Sequence, residues 1–436
     1  MDRRIPTKQH LEWQEKEIGV LIHYDIKVFE PDFNYWNNTG YVPSAEKFNP
    51  TQLDTDQWVK TAVDLGAKYA VLVVKHCTGF ALWPTKAYPY SVAASPWREG
   101  KGDILRDFIT SCKKYNVLPG LYCSTIHNTY MKVVARDGRV HSGDPAAQEE
   151  YNRAVETMAD EIWGEYGEMF ELWFDGGTLP AESGGPRLGE RLIKYQPNAV
   201  CFGGPMQFPS LLRWSGNEEG IAPEPCWGWS NITEFDDGLR STLDNDGGHL
   251  DGVIWAPVEA DMPVRSLSSW EGGWFWKAGE DHYIYSLNHL MERYEKTVGR
   301  NANLMIGITV DDRGLVPDAE AARLKEFGDA IKAAWGNPMA ECGPADKNAI
   351  EIILPIPEKV IDRAIIMEDI TNGQAIRKWT LEALGSKGEK TVLAEGESLG
   401  HKRLLRFDPV AVKELIFTVN EYDGDLTILK LAAFEV

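Results

Sequence analysis

The sequence predicts an α/β architecture: a (β/α)8 barrel of the TIM type followed by a small C-terminal β-sandwich. Three observations carry this expectation. Short apolar, β-branched runs recur through the first three quarters of the 436 residues, amphipathic helical stretches lie between several of them, and after Trp335-Gly336-Asn337-Pro338 the pattern changes to alternating strands without long helices. A hydrophobic content of 43% suffices for a sizeable core, and the length suits a barrel of about 250 residues or more with a second module. The expected division is 1–336 for the barrel and 337–436 for the sandwich. A doubly wound sheet is the alternative for the first part.

Eight runs are the candidate barrel strands: Gly19 to Tyr24, Tyr69 to Lys75, Leu118 to Ser124, Phe170 to Asp175, Ala199 to Gly203, Leu211 to Trp214, Gly252 to Pro257 and Asn303 to Ile308. Continuous apolar runs of this length suit strands buried on both faces of a parallel sheet. Trp58, Ala62 and Leu65 recur at i, i+4, i+7, as do Leu105, Ile109 and Cys112, with Asp103 placed as an N-cap. Longer helices are expected over Ala146 to Gly164 and over Pro317 to Ala334, where Pro317 fits a first helical turn. In the C-terminal part the expected strands are Ala349 to Leu354, Arg363 to Met367, Lys378 to Leu384, Arg403 to Phe407, Glu414 to Val419 and Leu426 to Val436.

Composition narrows the function classes. With 45 basic against 66 acidic residues the chain carries a net charge of -21, which argues against phosphate backbones and anionic membranes as partners. Six scattered cysteines form no CxxC pair and are expected as reduced thiols. No apolar run is long enough to span a bilayer, and the first residues lack a leader's apolar core. A cytoplasmic protein is therefore expected from the chain as it stands, and a secreted or periplasmic one if a leader has been removed. The 16 tryptophans suit the apolar faces and hydroxyl rims of sugar rings, although burial preference alone places many of them in a core.

The active site of such a barrel lies at the C-terminal ends of its strands, and those ends are unusually polar here. They read His23-Tyr24-Asp25, Lys75-His76-Cys77, Tyr122-Cys123-Ser124, Trp173-Phe174-Asp175-Gly176-Gly177, Arg213 to Glu218, and Glu259-Ala260-Asp261. Paired carboxyl groups perform glycoside hydrolysis, one as nucleophile and the other as acid and then base. A metal site would want a closer ligand pattern than His23 and His76 supply, and Gly247-Gly248 matches no phosphate-binding loop. No metal and no cofactor are expected. Gly176 and Gly177 make Asp175 more than a helix cap, but spacing alone does not choose among Glu218, Glu219 and Glu259 as its partner.

These motifs resemble those of the α-L-fucosidases of glycoside hydrolase family 29, from about Leu11 to Ile331. The likeness includes Phe48-Asn49-Pro50-Thr51-Gln52-Leu53, Gly79-Phe80-Ala81-Leu82-Trp83-Pro84-Thr85, Leu172-Trp173-Phe174-Asp175-Gly176, Arg213-Trp214 with Gly216-Asn217-Glu218, and Asp312-Arg313-Gly314-Leu315. The resemblance implies Asp175 as nucleophile and Glu218 as acid/base, in the branch that prefers α-1,3 and α-1,4 linked fucose. It also implies a sugar pocket lined by His23, Trp36, His76, Tyr122, Trp173 and Arg213, with Glu259 among the sugar-binding groups. A fucosylated oligosaccharide or glycoconjugate is the implied partner. Two departures stand out: Lys75-His76-Cys77-Thr78-Gly79-Phe80 replaces Lys-His-His-Asp-Gly-Phe, and Tyr122-Cys123-Ser124-Thr125-Ile126-His127 replaces Tyr-x-Ser-Pro-Trp-Asp. One imidazole is thereby missing, and His127 is expected to substitute for it. The rival readings are an α-L-galactosidase or broad exo-glycosidase of the same family, and a fucose-binding protein with weakened catalysis.

Overall fold

The computed structural model describes residues 3–36, 41–134, 136–205, 208–231 and 247–436. Its first part is a closed parallel barrel of strands β1 (Ile18–His23), β2 (Tyr69–Lys75), β3 (Leu118–Cys123), β4 (Glu171–Trp173), β5 (Val200–Phe202), β6 (Leu211–Trp214), β7 (Val258–Pro263) and β8 (Ala302–Thr309). Each strand pairs with its sequence neighbour. The ring closes where β8 returns to β1, from Ile18 beside Leu304 to His23 beside Thr309. Alternation explains why most strands read as unbroken apolar runs. Leu21, Tyr69, Val71, Val73, Leu212 and Met305 point into the barrel, whereas Val20, Ile22, Ala70, Leu72, Leu304 and Ile306 pack outward in the main core.

Helices α1 (Lys8–Gln14), α2 (Thr55–Leu65), α3 (Ile104–Tyr115), α4 (Pro145–Gly164), α5 (Gly189–Tyr195), α6 (Leu287–Thr297) and α7 (Asp318–Trp335) accompany the barrel. Asp103 caps α3 by accepting from Arg106 N, and Pro145 occupies the first turn of α4. Pro317 is the N-cap of α7 rather than its first helical residue. Helix α1 has a separate task. Its Trp13 is fully buried among the inward-facing strand residues and donates Nε1 to Glu171 Oε2 at 2.9 Å.

The seventh strand corrects the sequence reading. Within Gly252 to Pro257, Ile254–Trp255 pairs instead with Trp229–Ser230 in a separate antiparallel ribbon, and Val258–Pro263 forms the barrel strand. Pro257 has no N–H to give a ladder, and the true strand is disguised by carboxylates. Glu259 and Asp261 alternate with Val258, Ala260 and Met262, so an interior polar face breaks the apolar run.

Helix α7 is tied to the barrel by a buried ion pair. Glu320 accepts from Arg265 Nε and from Thr309 N (3.0 Å) and Oγ1 (2.6 Å), and Arg265 reaches Asp281 at 3.0 Å. Both Glu320 and Arg265 are fully buried. Removing one partner leaves an uncompensated charge, so Glu320→Ala is expected to lower unfolding stability by about 3–5 kcal/mol in urea titration. A loss under about 1 kcal/mol would show that Asp281 balances Arg265 alone.

Beyond α7 lies a six-stranded antiparallel sheet of β9 (Ala340–Cys342), β10 (Glu351–Glu368), β11 (Ile376–Leu384), β12 (Lys390–Gly396), β13 (Arg403–Tyr422) and β14 (Ile428–Glu435), in the order β9-β14-β10-β13-β11-β12. Leu354, Ile361, Trp379, Leu381, Phe417 and Leu431 share one core, in keeping with a β-sandwich. Two expected pairs of short strands are each one long strand. Pro355 and Pro357 interrupt the pattern in β10, but register shifts between Pro355 and Lys359 and between Ile361 and Arg363 absorb them. Arg403 bonds Glu224 at 2.8 Å and Arg406 bonds Glu295 at 2.7 Å, joining sheet to barrel. Among the described residues no helix is long and apolar enough to cross a membrane.

Candidate active site

A cavity of about 730 Å³ opens at the C-terminal ends of the strands. That volume lies within the range of small-molecule sites and exceeds the need of one sugar ring. His23 closes β1, His76 and Cys77 follow β2, Tyr122 lies near the end of β3, and Asp175 stands just past β4. Glu218 comes from the loop after β6, and Asp261 from β7 itself. All of these line the cavity. So do Trp36, His127 and Trp173, which brings eight of the ten expected site residues together.

The other two are placed elsewhere. On β6, Leu212 points into the barrel and Trp214 reaches the cavity, so the alternation turns Arg213 outward. Arg213 is fully buried and donates Nε to Ala256 O at 3.3 Å and Nη2 to Trp227 O. It therefore braces the segments flanking the Trp229–Ser230 ribbon and does not line the cavity. Glu259 points inward but lies a layer below the cavity wall. It accepts from Trp173 Nε1 at 2.6 Å and from Tyr69 OH at 3.3 Å, and is fully buried beside Glu171. Burial pushes Glu171 up to about 7, and burial together with the Glu171 charge pushes Glu259 well above the usual carboxylate range.

Asp175, Glu218 and Asp261 are each held by an aromatic donor. Tyr122 OH donates to Asp175 Oδ2 at 2.9 Å, Trp274 Nε1 to Glu218 Oε2 at 3.3 Å, and Trp214 Nε1 to Asp261 Oδ1 at 2.6 Å. Burial raises all three pKa values, but the remaining causes differ. The aromatic donor opposes the rise at each, and Arg136 opposes it further at Asp175, whereas the Asp175 charge adds to it at Glu218 and the Glu218 charge adds to it at Asp261. Asp175 is thus the one of these three whose pKa no neighbouring carboxylate raises further. Gly176 follows it at φ 68, a left-handed conformation that favours glycine, and a β-carbon there would meet Ile126 Cδ1 at 2.4 Å.

The histidines form the opposite wall. His23, His76 and His127 are buried, and each has an Nδ1 with no hydrogen-bond partner among the described residues. Burial lowers the pKa of His23 to about 3 and that of His127 to about 4, so these rings are neutral and able to donate or accept. Trp36 is 42% exposed at the rim, its ring 5.0 Å from that of His127. Sequence reading passed over Trp274, Phe275, Glu271 and Tyr35, all of which line the cavity. The signal was present in Trp270-Glu271-Gly272-Gly273-Trp274-Phe275-Trp276, a dense aromatic turn that follows no apolar run. Among the described residues no group of three or more His, Cys, Asp or Glu is placed to hold a metal ion.

A parallel barrel whose mouth combines paired carboxyls, neutral imidazoles and indole faces defines a glycoside hydrolase. The alpha-L-fucosidase family model matches residues 5–185, and the crystal structure of a candidate α-L-fucosidase from Bacteroides thetaiotaomicron VPI-5482 superposes with a TM-score of 0.91 at 36% identity, over 100% of both chains. The chain belongs to the α-L-fucosidases of glycoside hydrolase family 29. Alpha-L-fucosidase 1 of Arabidopsis thaliana is 28% identical over 92% of this chain and 82% of its own. A family 29 fucosidase of Ruminococcus gnavus, solved in complex with fucose, shares the fold at a TM-score of 0.83 and 24% identity over 100% of this chain and 96% of its own.

Proposed function

We propose that this α-L-fucosidase is a retaining exo-enzyme that prefers α-1,3 and α-1,4 linked terminal fucose, with Asp175 as nucleophile and Glu218 as acid/base. The observation that carries the assignment is that both carboxyls face one cavity, where Tyr122 and Arg136 both favour the Asp175 anion, while at Glu218 the Asp175 charge works against the anion that Trp274 favours. In the first step Asp175 bonds to the anomeric carbon as the glycosidic C–O bond breaks, and the Glu218 proton passes to the leaving oxygen. In the second, Glu218 takes a proton from water, whose oxygen displaces Asp175. The linkage preference rests on the likeness of Gly216-Asn217-Glu218 to the linkage-restricted branch.

One pair of experiments tests both parts. NMR of the first-formed product from nitrophenyl α-L-fucoside should show α-fucose before mutarotation, and Lewis-type trisaccharides should be cleaved faster than fucosyl-α-1,2-galactose. Initial β-fucose would overturn retention, and equal or faster α-1,2 cleavage would overturn the linkage assignment. Cys77, a small side chain in the cavity wall, favours one rival, so nitrophenyl α-L-galactoside belongs in the same panel.

A further inference from the structure

Lys27 is buried in the 3-10 turn Ile26–Phe29 that follows β1, and Asp25 caps that turn by accepting from Lys27 N at 2.9 Å. Its ammonium donates to Phe33 O and lies 4.8 Å from the Tyr35 ring centroid and 5.0 Å from that of Trp270. Inside this aromatic cage it pairs with Glu271 Oε1 at 2.9 Å, while Glu271 Oε2 accepts from Tyr35 OH at 3.1 Å. The cage keeps water from the ammonium, so the pair is stronger than a surface bridge, and the carboxylate is fixed from two directions.

Glu271 is not simply a partner for Lys27. Its backbone stands at φ 49, a conformation that residues with a β-carbon rarely adopt, in the same turn that carries Trp274 to Glu218. Glu271 and Tyr35 both line the sugar cavity. An ionised carboxylate offers about four lone-pair sites, and the two bonds described occupy half of them. Next to Tyr35, Cys77 supplies only a weakly bonding thiol within a small cluster of Phe33, Tyr35 and Cys77. The wall here thus has one strong acceptor with unused capacity.

We infer that Glu271 is a specificity-determining residue, a carboxylate held by Lys27 and aimed by Tyr35 to accept a hydrogen bond from one ring hydroxyl of the bound sugar. This deepens the fucosidase reading and rests on it. The decisive measurement is a coupling cycle between Glu271→Gln and a set of nitrophenyl α-L-fucosides, each lacking one ring hydroxyl. On the full fucoside the variant should lose about 10- to 100-fold in kcat/KM. On the one analogue that lacks the contacted hydroxyl, most of that loss should vanish. A loss of equal size on every analogue, or none on any, overturns the inference, because a purely structural role would not distinguish hydroxyls.

If Glu271→Gln does not fold, Tyr35→Phe carries the same test, since it leaves the Lys27 pair intact. It should show a smaller loss that disappears on the same analogue. If the parent enzyme leaves all α-L-fucosides intact, the fucosidase reading fails separately. Calorimetric binding of L-fucose and its deoxy analogues to parent and variant then decides Glu271 by the same coupling, and equal affinities throughout overturn it.

Discussion

Asp175→Gly is expected to reduce turnover of nitrophenyl α-L-fucoside by about 10⁴-fold or more, because in the proposed retaining mechanism Asp175 carries the covalent step. Glu218 and Asp261 share the cavity, but each sits beside another carboxyl whose charge raises its pKa further. At each, that neighbour works against the anion. Without the side chain, the Tyr122 hydroxyl loses its acceptor and space opens beneath the sugar. Azide should enter that space and give β-fucosyl azide from the activated substrate. Turnover within tenfold of the parent, with no azide product, would remove Asp175 from the nucleophile's role.

Glu218→Ala should separate substrates by their leaving groups. Natural oligosaccharides need the proton and should lose about 10²- to 10⁴-fold, whereas an aryl fucoside that departs unaided should lose far less at the first step. Azide should now replace the unactivated water and yield the α-fucosyl azide. The pH dependence follows from the same groups. Burial, and then the Asp175 charge, raise the Glu218 pKa, so its acid form persists to higher pH than an ordinary glutamate's. Activity on oligosaccharides should be present below that raised value and decline as pH rises through it. Asp175 must be ionised, so its own titration sets the acid limb, and activity declines as pH falls through it. Loss of Glu218 should therefore abolish the basic limb of kcat/KM and keep the acid one. Near-parent cleavage of oligosaccharides by Glu218→Ala would shift the acid/base to another carboxyl. Asp261 would then come before Glu259, because only Asp261 lines the cavity.

The barrel was legible wherever a strand is apolar on both faces, as in Tyr69 to Lys75, whose bounds the structure reproduces. It was illegible where the interior face is acidic. Glu259 and Asp261 made Val258–Pro263 look like a loop, and the apolar Gly252 to Pro257 took its place. That Asp175, Glu218 and the histidines share one cavity could be expected because their motifs end strands or follow them closely. Arg213 was misassigned because a motif carries no phase, whereas one residue of strand phase decides whether a side chain faces sugar or helix. Tyr35 and Glu271 escaped for a third reason. Each reaches the cavity from a loop, and their hydrogen bond spans 236 positions of sequence, a pairing that only the closed barrel brings about.

Trp13 closes the barrel from below and hands its indole N–H to Glu171, whose neighbour Glu259 fixes the Trp173 indole in the cavity wall. A column of buried groups thus runs from the first helix of the chain to the cavity wall. Glu171 and Glu259 retain protons more readily than exposed carboxyls because no water reaches them. A leak at the base would hydrate both and favour negative charge beneath the cavity that Asp175 lines. The plug at the far end is in this sense insulation. Dryness there helps set the voltage under which the chemistry at the mouth is run.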